Sequence, residues 1–166
     1  DTGVFLLNMQ MAGMLLGGIV FGILGDKYGR TKMMFISIIT YSMATLLNGL
    51  VHSVMSYATF RFLSGFGLAG ELGLAITLIS ESLPKDKRGY GTGIVVGFGI
   101  FGALTAALFA QYIPWRTSYI IGGVAGFALL IFRIKVSESH MFTGLTETAA
   151  RGSLKMLFAS KDRFLK

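Results

Sequence analysis

Two charged side chains, Arg61 and Glu71, lie inside a long apolar stretch from residue 54 to residue 79. The stretch is long enough to cross a bilayer as a helix. Charges placed there normally face water, a solute or a partner on another helix. Ten residues separate them, so a helix holds them about 15 Å apart and they do not pair with each other. They are expected either to handle substrate and proton, with Glu71 gaining and losing the proton, or to form structural ion pairs between helices.

A second concentration of charge follows the first apolar stretch. Residues 22–32, GILGDKYGRTK, hold one acid, three bases and three glycines between two apolar runs. Backbone that is neither helix nor barrel must lie in water when it connects two membrane spans, so this composition predicts a tight charged turn. Arg30 falls on the same predicted side of the membrane as Glu81 and Arg88. These three residues either form a charge network or remain solvated at the headgroup level.

Five apolar runs would position these residues. The 166-residue chain is 53% hydrophobic and only 14% charged, whereas a soluble domain carries about 25% charge. Each run has roughly the 20 residues that span a bilayer, which predicts an all-α, polytopic membrane protein. The predicted bundle covers residues 1–136, with spans at about 3–24, 33–51, 54–79, 91–112 and 117–134. Residues 137–166 are predicted to be a cytoplasmic linker with a short amphipathic helix.

The basic residues fall almost entirely on one side of this arrangement. Thirteen of the 15 Lys and Arg side chains lie in the first turn, the third turn or the tail, which the positive-inside rule places in the cytoplasm. Asp1 then lies outside, in a multi-pass protein of the plasma membrane (the bacterial inner membrane). This distribution explains the net charge of +7 without a nucleic-acid partner. An aromatic belt is expected at the outer ends of the spans, from Tyr57, Tyr112, Trp115 and Tyr119.

Two stretches, residues 65–70 and 97–102, match the pattern G-x-G-x-x-G. A dinucleotide site needs this pattern after a strand and at the start of a helix, but both stretches lie inside apolar spans. Close helix packing is the better interpretation, which makes Gly65, Gly67 and Gly70 structural. The sequence shows no pattern of a catalytic triad or metal cluster, and it has no cysteine. We therefore expect no enzyme activity, no metal and no cofactor, with a proton as the coupling ion.

The motifs and their order resemble the major facilitator superfamily. Residues 22–30 resemble that family's signature between its second and third helices, and residues 61–70, RFLSGFGLAG, resemble its fourth-helix signature R-x-x-x-G-x-G. Residues 81–89 are similar to the loop that follows, Pro114-Trp115-Arg116 to the entry of the sixth helix, and Glu138-Ser139 to the segment beyond it. The metabolite:proton symporter branch, which includes proline/betaine and dicarboxylate carriers, is most similar. Sugar porters are the second choice.

The resemblance implies that the five spans are helices two to six of twelve, so the chain is expected to be a fragment of the six-helix amino-terminal bundle. It also implies a gating role for four charged residues. Asp26 would cap the start of a helix in the second half of the carrier, where a carboxylate suits the helix dipole. Arg30, Glu81 and Arg88 would join cytoplasmic ion pairs that break and re-form as the two halves rock.

Other residues gain their expected roles from the same resemblance. Arg61 would face the first helix, and Glu71 would approach the central cavity where such carriers bind substrate near the midplane. Gln10, in the first span, either lines that cavity or hydrogen-bonds a neighbouring helix. Gly22 and Gly29 belong to the loop signature and are expected to be structural.

The expected function is secondary active transport, in which a proton-coupled symporter moves a small polar or organic-acid solute by alternating access. The expected partners are the lipid bilayer, that solute and the remaining helices of a full-length transporter. The alternative is a truncated membrane protein that transports nothing and serves as an assembly or interaction subunit.

Overall fold

The computed structural model describes residues 1–133. The predicted linker at 137–166, the Glu138-Ser139 motif and the last residue of the fifth predicted span lie outside the described residues. Five helices follow one another within this range: α1 (Thr2–Tyr28), α2 (Arg30–Leu50), α3 (Val54–Ser82), α4 (Arg88–Tyr112) and α5 (Trp115–Arg133). A single 3-10 turn, Lys85–Lys87, separates α3 from α4. All five helices are long and apolar enough to cross a membrane, which confirms the predicted all-α fold with five spans.

The first turn is much shorter than the sequence predicts. α1 continues through the charged residues Asp26 and Lys27 to Tyr28, and α2 begins at Arg30, so only Gly29 lies between the two helices. Gly29 has a φ of 105°, a conformation that glycine adopts without the steric cost of a Cβ. We call the end of the bundle with Gly29 and the 3-10 turn the basic end. The opposite end, with the turns at residues 51–53 and 113–114, is the aromatic end.

α1 and α3 run parallel and approach each other closely through glycine. A Cβ added at Gly13 would overlap the backbone of Phe62, and one added at Gly17 would overlap the backbone of Phe66. The contacts recur every four residues, which is the spacing that keeps side chains on one helix face. Small residues at these positions let the two backbones meet, as is usual where apolar helices pack inside a membrane.

α5 packs antiparallel on α2, again through glycine residues. Gly123 lies against Leu46, and Gly126 lies against Ser42. α4 differs, because it touches the rest of the bundle mainly where Gly91 meets the end of α3, and none of its residues is buried by the rest of residues 1–133. α3 is held between α1 and α2, which fixes the depth and direction of its two charged side chains.

Candidate functional site

Glu71 forms an ion pair with Arg133 in the interior of the bundle. Arg133 Nη2 lies 2.8 Å from Glu71 Oε1, and the two side chains are 23% and 19% exposed. The bond joins the middle of α3 to the described end of α5. Hydrogen-bonded, half-buried charges of opposite sign offset part of each other's desolvation, so the pair holds the Glu71 side chain in a fixed position between α3 and α5.

Sequence reasoning missed Arg133 because it counted this residue with the basic tail. The pair can be identified from the distance of each residue from the start of its helix. α3 starts at Val54 and α5 starts at Trp115, and Glu71 and Arg133 follow these starts at nearly equal distances along their helices. Both helices start at the aromatic end and rise about 1.5 Å per residue, so the two charges reach the same level.

Arg61 lies nearer the aromatic end and is surrounded by aromatic rings. Its guanidinium carbon is 5.7 Å from the ring centroid of Tyr57 and 5.6 Å from that of Tyr119. The hydroxyl groups of Tyr57 and Tyr119 share a hydrogen bond of 2.8 Å, and Trp115 packs edge-on against both rings. Arg61 and Glu71 do not pair, as their spacing predicts. Within residues 1–133 the buried Nε of Arg61 has no hydrogen-bond partner.

A third group of charges lies at the basic end and joins three helices. Arg30 Nη2 is 2.7 Å from Asp26 Oδ1 and 2.7 Å from Glu81 Oε1, while Nη1 donates to the carbonyl of Gly25 at 3.1 Å. Arg30 is 9% exposed, so α2 contributes a buried cation to carboxylates from α1 and α3. Three of the four residues expected to gate transport therefore meet. In the described part of the chain Arg88 makes no ion pair, and its Nε donates to the Leu83 carbonyl at 3.2 Å.

The glycines selected from the sequence occupy two kinds of position. A Cβ on Gly65 would meet the carbonyl of Gln10, and one on Gly67 would meet the backbone of Ser37. Gly70 lies against the ring of Phe21. These three are packing sites. Gln10 is half-buried and contacts α3 through its backbone and Cγ.

Gly22, in contrast, faces open space. It lines a cavity of about 280 Å³ between α1 and α3 near the basic end. Most of this lining is small, and the charged group of Asp26 and Arg30 closes one side. The lining residues are Gly18, Gly22, Asp26, Arg30, Ala69, Gly70, Gly73, Leu74 and Thr77. Nothing within 4 Å would meet a Cβ on Gly22. Within residues 1–133 this glycine therefore leaves space in the cavity and does not serve a close contact between helices.

No group of three or more His, Cys, Asp or Glu side chains in the described range is placed to hold a metal ion. Glu71 with Arg133 can exchange a proton, Arg61 can receive an anion, and the group around Arg30 can hold α1, α2 and α3 together.

Comparison with known proteins relates this arrangement to transporters. Residues 3–164 match the model of the Major Facilitator Superfamily. The putative niacin/nicotinamide transporter NiaP of Bacillus subtilis is 30% identical over 143 residues, covering 84% of this chain and 36% of the relative. A putative proline/betaine transporter of Staphylococcus haemolyticus is 32% identical over 159 residues, covering 84% and 34%.

A solved structure shares the fold. The proton:xylose symporter XylE superposes with a TM-score of 0.66 at 16% identity, covering 83% of this chain and 35% of that protein. The chain thus spans about a third of the length of the proteins it matches. These matches confirm the family suggested by the motifs at residues 22–30 and 61–70.

Proposed function

Because the chain belongs to the Major Facilitator Superfamily, we propose that it forms part of the amino-terminal bundle of a proton-coupled symporter for a small organic solute. The chain is an integral, multi-pass membrane protein of a transporter family. The relatives' names mention niacin, proline and betaine, which supports a small polar or acidic solute. We place the basic end in the cytoplasm, since thirteen of the 15 basic residues belong to that side, and Asp1 outside the plasma membrane.

The observation that carries the proposal is the ion pair of Glu71 and Arg133 inside the spans. A carboxylate in this position gains a proton at a lower cost than an exposed one, since the neutral form is easier to bury. Protonation of Glu71 removes one of the two opposite charges, and the contact between α3 and α5 weakens. Return of the proton to water on the other side restores the pair. One carboxylate thus links the protonation state to the arrangement of two helices.

The residues at the basic end supply the second element of the proposed cycle. Arg30 bridges Asp26 and Glu81, which ties the ends of α1, α2 and α3 into one unit. We assign these three residues to the cytoplasmic gate, where the half-exposed carboxylate of Asp26 remains accessible to the second bundle. Arg88 is the fourth gating residue, at the start of the adjacent α4.

The test is substitution of Glu71 by Gln, which has nearly the same shape and no proton to exchange. Purified full-length protein is reconstituted in liposomes, and accumulation of labelled niacin and proline is measured under an inward pH gradient. We expect Glu71→Gln to abolish accumulation while exchange of solute across the membrane continues. Asp86→Asn, in the exposed 3-10 turn, is the matched control and accumulates solute normally. Gradient-driven accumulation by Glu71→Gln would contradict the role of this carboxylate.

A second candidate function has one observation in its favour. α4 buries no residue against the rest of residues 1–133, and it exposes a series of large apolar side chains that includes Phe98, Phe101 and Leu108. Such a surface suits either the remaining helices of a carrier or another membrane protein served by a non-transporting subunit. The native mass separates the two functions, since this chain alone has a mass of 17.9 kDa. A band at more than twice that mass supports the carrier, and a band near that mass supports the subunit.

A further inference from the structure

Arg116 and His52 share a hydrogen bond at the aromatic end, between the start of α5 and the turn that follows α2. Arg116 Nη1 lies 3.0 Å from His52 Nε2. Because a guanidinium has donors and no acceptor, the imidazole nitrogen must accept, and the contact requires the neutral form of His52. The bond therefore joins a cation to a neutral group and leaves the positive charge of Arg116 unbalanced.

The acids of residues 1–133 do not balance this charge. The ion pairs in this range have Arg30 and Arg133 as their cations, and none of them includes Arg116. Asp1 is the acid at the aromatic end, but it begins α1, which packs against α2 and α3. The charge of Arg116 is therefore available to an anion from outside the described part of the chain.

A cavity of about 310 Å³ lies beside this arginine. Ser53 contributes to it with a side chain that does not cap α3, so its hydroxyl can donate a hydrogen bond into the cavity. None of the described residues that line the cavity is acidic. The polar lining residues are His52, Ser53 and Arg116, and the remaining ones are Val51, Val54, Tyr57 and Trp115.

The cavity lies at the depth expected of lipid headgroups. Tyr57 and Trp115 belong to the residue types that collect where the bilayer meets water, and α5 begins at Trp115. The adjoining helices expose large apolar side chains, among them Leu50 of α2 and Ile121 of α5, each 52% exposed. A lipid can therefore place its headgroup in the cavity while its acyl chains stay in contact with apolar surface.

We propose that this cavity binds the headgroup of an anionic phospholipid, with the phosphodiester on Arg116. A guanidinium presents its N–H bonds in one plane, as a fork that matches two phosphate oxygens. His52 accepts one of the five N–H bonds of Arg116, and the others remain for the phosphate. A phosphodiester carries one negative charge, which one guanidinium balances.

The lining favours an anionic headgroup over a zwitterionic one. Phosphatidylcholine and phosphatidylethanolamine carry a positive group beside the phosphate, and that group needs an acid or an aromatic ring as its partner. The lining has no acid, and the guanidinium carbon of Arg116 already lies 4.9 Å from the ring centroid of Trp115. Phosphatidylglycerol brings the same phosphodiester with neutral hydroxyl groups, which suit the polar side chains of His52 and Ser53.

A bound headgroup would stabilise a corner of the bundle where three helices meet. A Cβ added at Gly49, near the end of α2, would meet the backbone carbonyl of Arg116, so α2 and the start of α5 are already in close contact. The headgroup adds a link from Arg116 to Ser53, the residue before α3. This inference goes beyond the proposed transport function and does not depend on it.

The test places the full-length protein in phosphatidylcholine nanodiscs that contain a small fraction of either brominated phosphatidylglycerol or brominated phosphatidylcholine. Bromine on the acyl chains quenches tryptophan fluorescence, and Trp115, the single tryptophan of this chain, lines the cavity. Subtracting the quenching measured in Trp115→Phe removes the signal of tryptophans elsewhere in the full-length protein. We expect phosphatidylglycerol to bind beside Trp115 about fivefold more tightly than phosphatidylcholine, the preference that one basic side chain provides at a membrane surface.

Three variants locate the source of this preference. Arg116→Gln should bind the two lipids about equally, because the charge is lost. Arg116→Lys keeps the charge and loses the planar fork, so it should retain part of the preference; it also serves where Arg116→Gln yields little folded protein. Lys85→Gln, which removes a positive charge from the exposed turn at the basic end, is the matched control and should keep the full preference.

Equal binding of the two lipids by the unmodified protein would overturn the proposal, as would an unchanged preference in Arg116→Gln. Glycerophosphoglycerol, the same headgroup without acyl chains, should not relieve the quenching when added in millimolar excess. Relief would show that the cavity takes a soluble phosphodiester, and the assignment to a lipid would be wrong. No gradient and no solute are applied, so the result is separate from that of Glu71→Gln in the transport assay.

Discussion

Two arginines, one near each end of the bundle, have opposite surroundings. At the basic end, Arg30 is 9% exposed and lies 2.7 Å from two carboxylates. Toward the aromatic end, Arg61 is half-buried beside the rings of Tyr57 and Tyr119, and the described residues provide its Nε with no acceptor. Arg30 thus has carboxylate partners within the described residues, whereas Arg61 has none there.

The contrast shows which of the two arginines the described residues neutralise and which one they do not. A buried arginine with two carboxylates holds three helices together and has little capacity left for an anion. An arginine whose recorded contacts are with two rings contributes less to folding than one that bridges two carboxylates. The pair of Glu71 and Arg133 lies between these two cases, since it is satisfied in one protonation state and unsatisfied in the other.

The largest effect is expected at the basic end. Arg30→Gln leaves Asp26 and Glu81 close together without the cation between them, and a buried pair that loses one partner costs about 3 kcal/mol of unfolding free energy. The measurement is denaturant unfolding of the purified protein in detergent, followed by loss of helical circular dichroism. Lys32→Gln, a basic residue in the same first turn of α2, is the matched control and should change stability by less than about 0.5 kcal/mol.

Equal stability of Arg30→Gln and Lys32→Gln would contradict this account of the basic end. It would mean that Asp26 and Glu81 find enough water at the membrane surface to dispense with Arg30. The exposure of Asp26, 50%, allows that for one carboxylate, whereas Glu81 is 20% exposed and depends more strongly on its partner.

A smaller effect is expected at the pair between the two ends. Glu71→Gln, Arg133→Gln and the double variant form a double-mutant cycle, and we expect a coupling of about 1.5 kcal/mol in unfolding free energy at pH 7. The coupling should fall as the pH is lowered, because a protonated Glu71 no longer attracts Arg133. The cycle of Arg133→Gln with Asp86→Asn, at the exposed turn, should give no coupling. A coupling that is unchanged from pH 8 to pH 4 would show that Glu71 does not titrate in this range.

The spans are predictable because membrane burial imposes one simple requirement, about 20 apolar residues per helix. The turn at Gly29 is predictable in place but not in length. Hydropathy marks where a helix leaves the lipid, whereas the helix itself continues through Asp26 and Lys27 to the first residue that breaks it. A run of apolar residues does not distinguish the position where the helix leaves the lipid from the position where the helix ends.

The pairing of charges is less accessible from the sequence. Arg133 follows an apolar run and precedes a basic tail, so the neighbouring sequence predicts that its side chain is exposed to solvent. Only a comparison of the depths of the two residues along their helices relates Arg133 to Glu71. The aromatic residues 57, 115 and 119 are expected as a membrane belt, in which each ring acts alone. In the structure they form one cluster, with Tyr57 and Tyr119 beside Arg61, an arrangement that depends on where α5 lies relative to α3 and therefore on tertiary packing.

The smallest expected effect concerns folding at the aromatic end. Arg61→Gln removes two contacts between a cation and a ring, each worth about 0.5–1 kcal/mol, but it also removes an uncompensated charge from the membrane interior. These terms oppose each other, so the unfolding free energy without solute should change by less than about 1 kcal/mol. The same denaturant titration as for Arg30→Gln makes the two ends directly comparable. A loss as large as that expected for Arg30→Gln would contradict this balance and would show that Arg61 stabilises the fold through a contact stronger than those with the two rings.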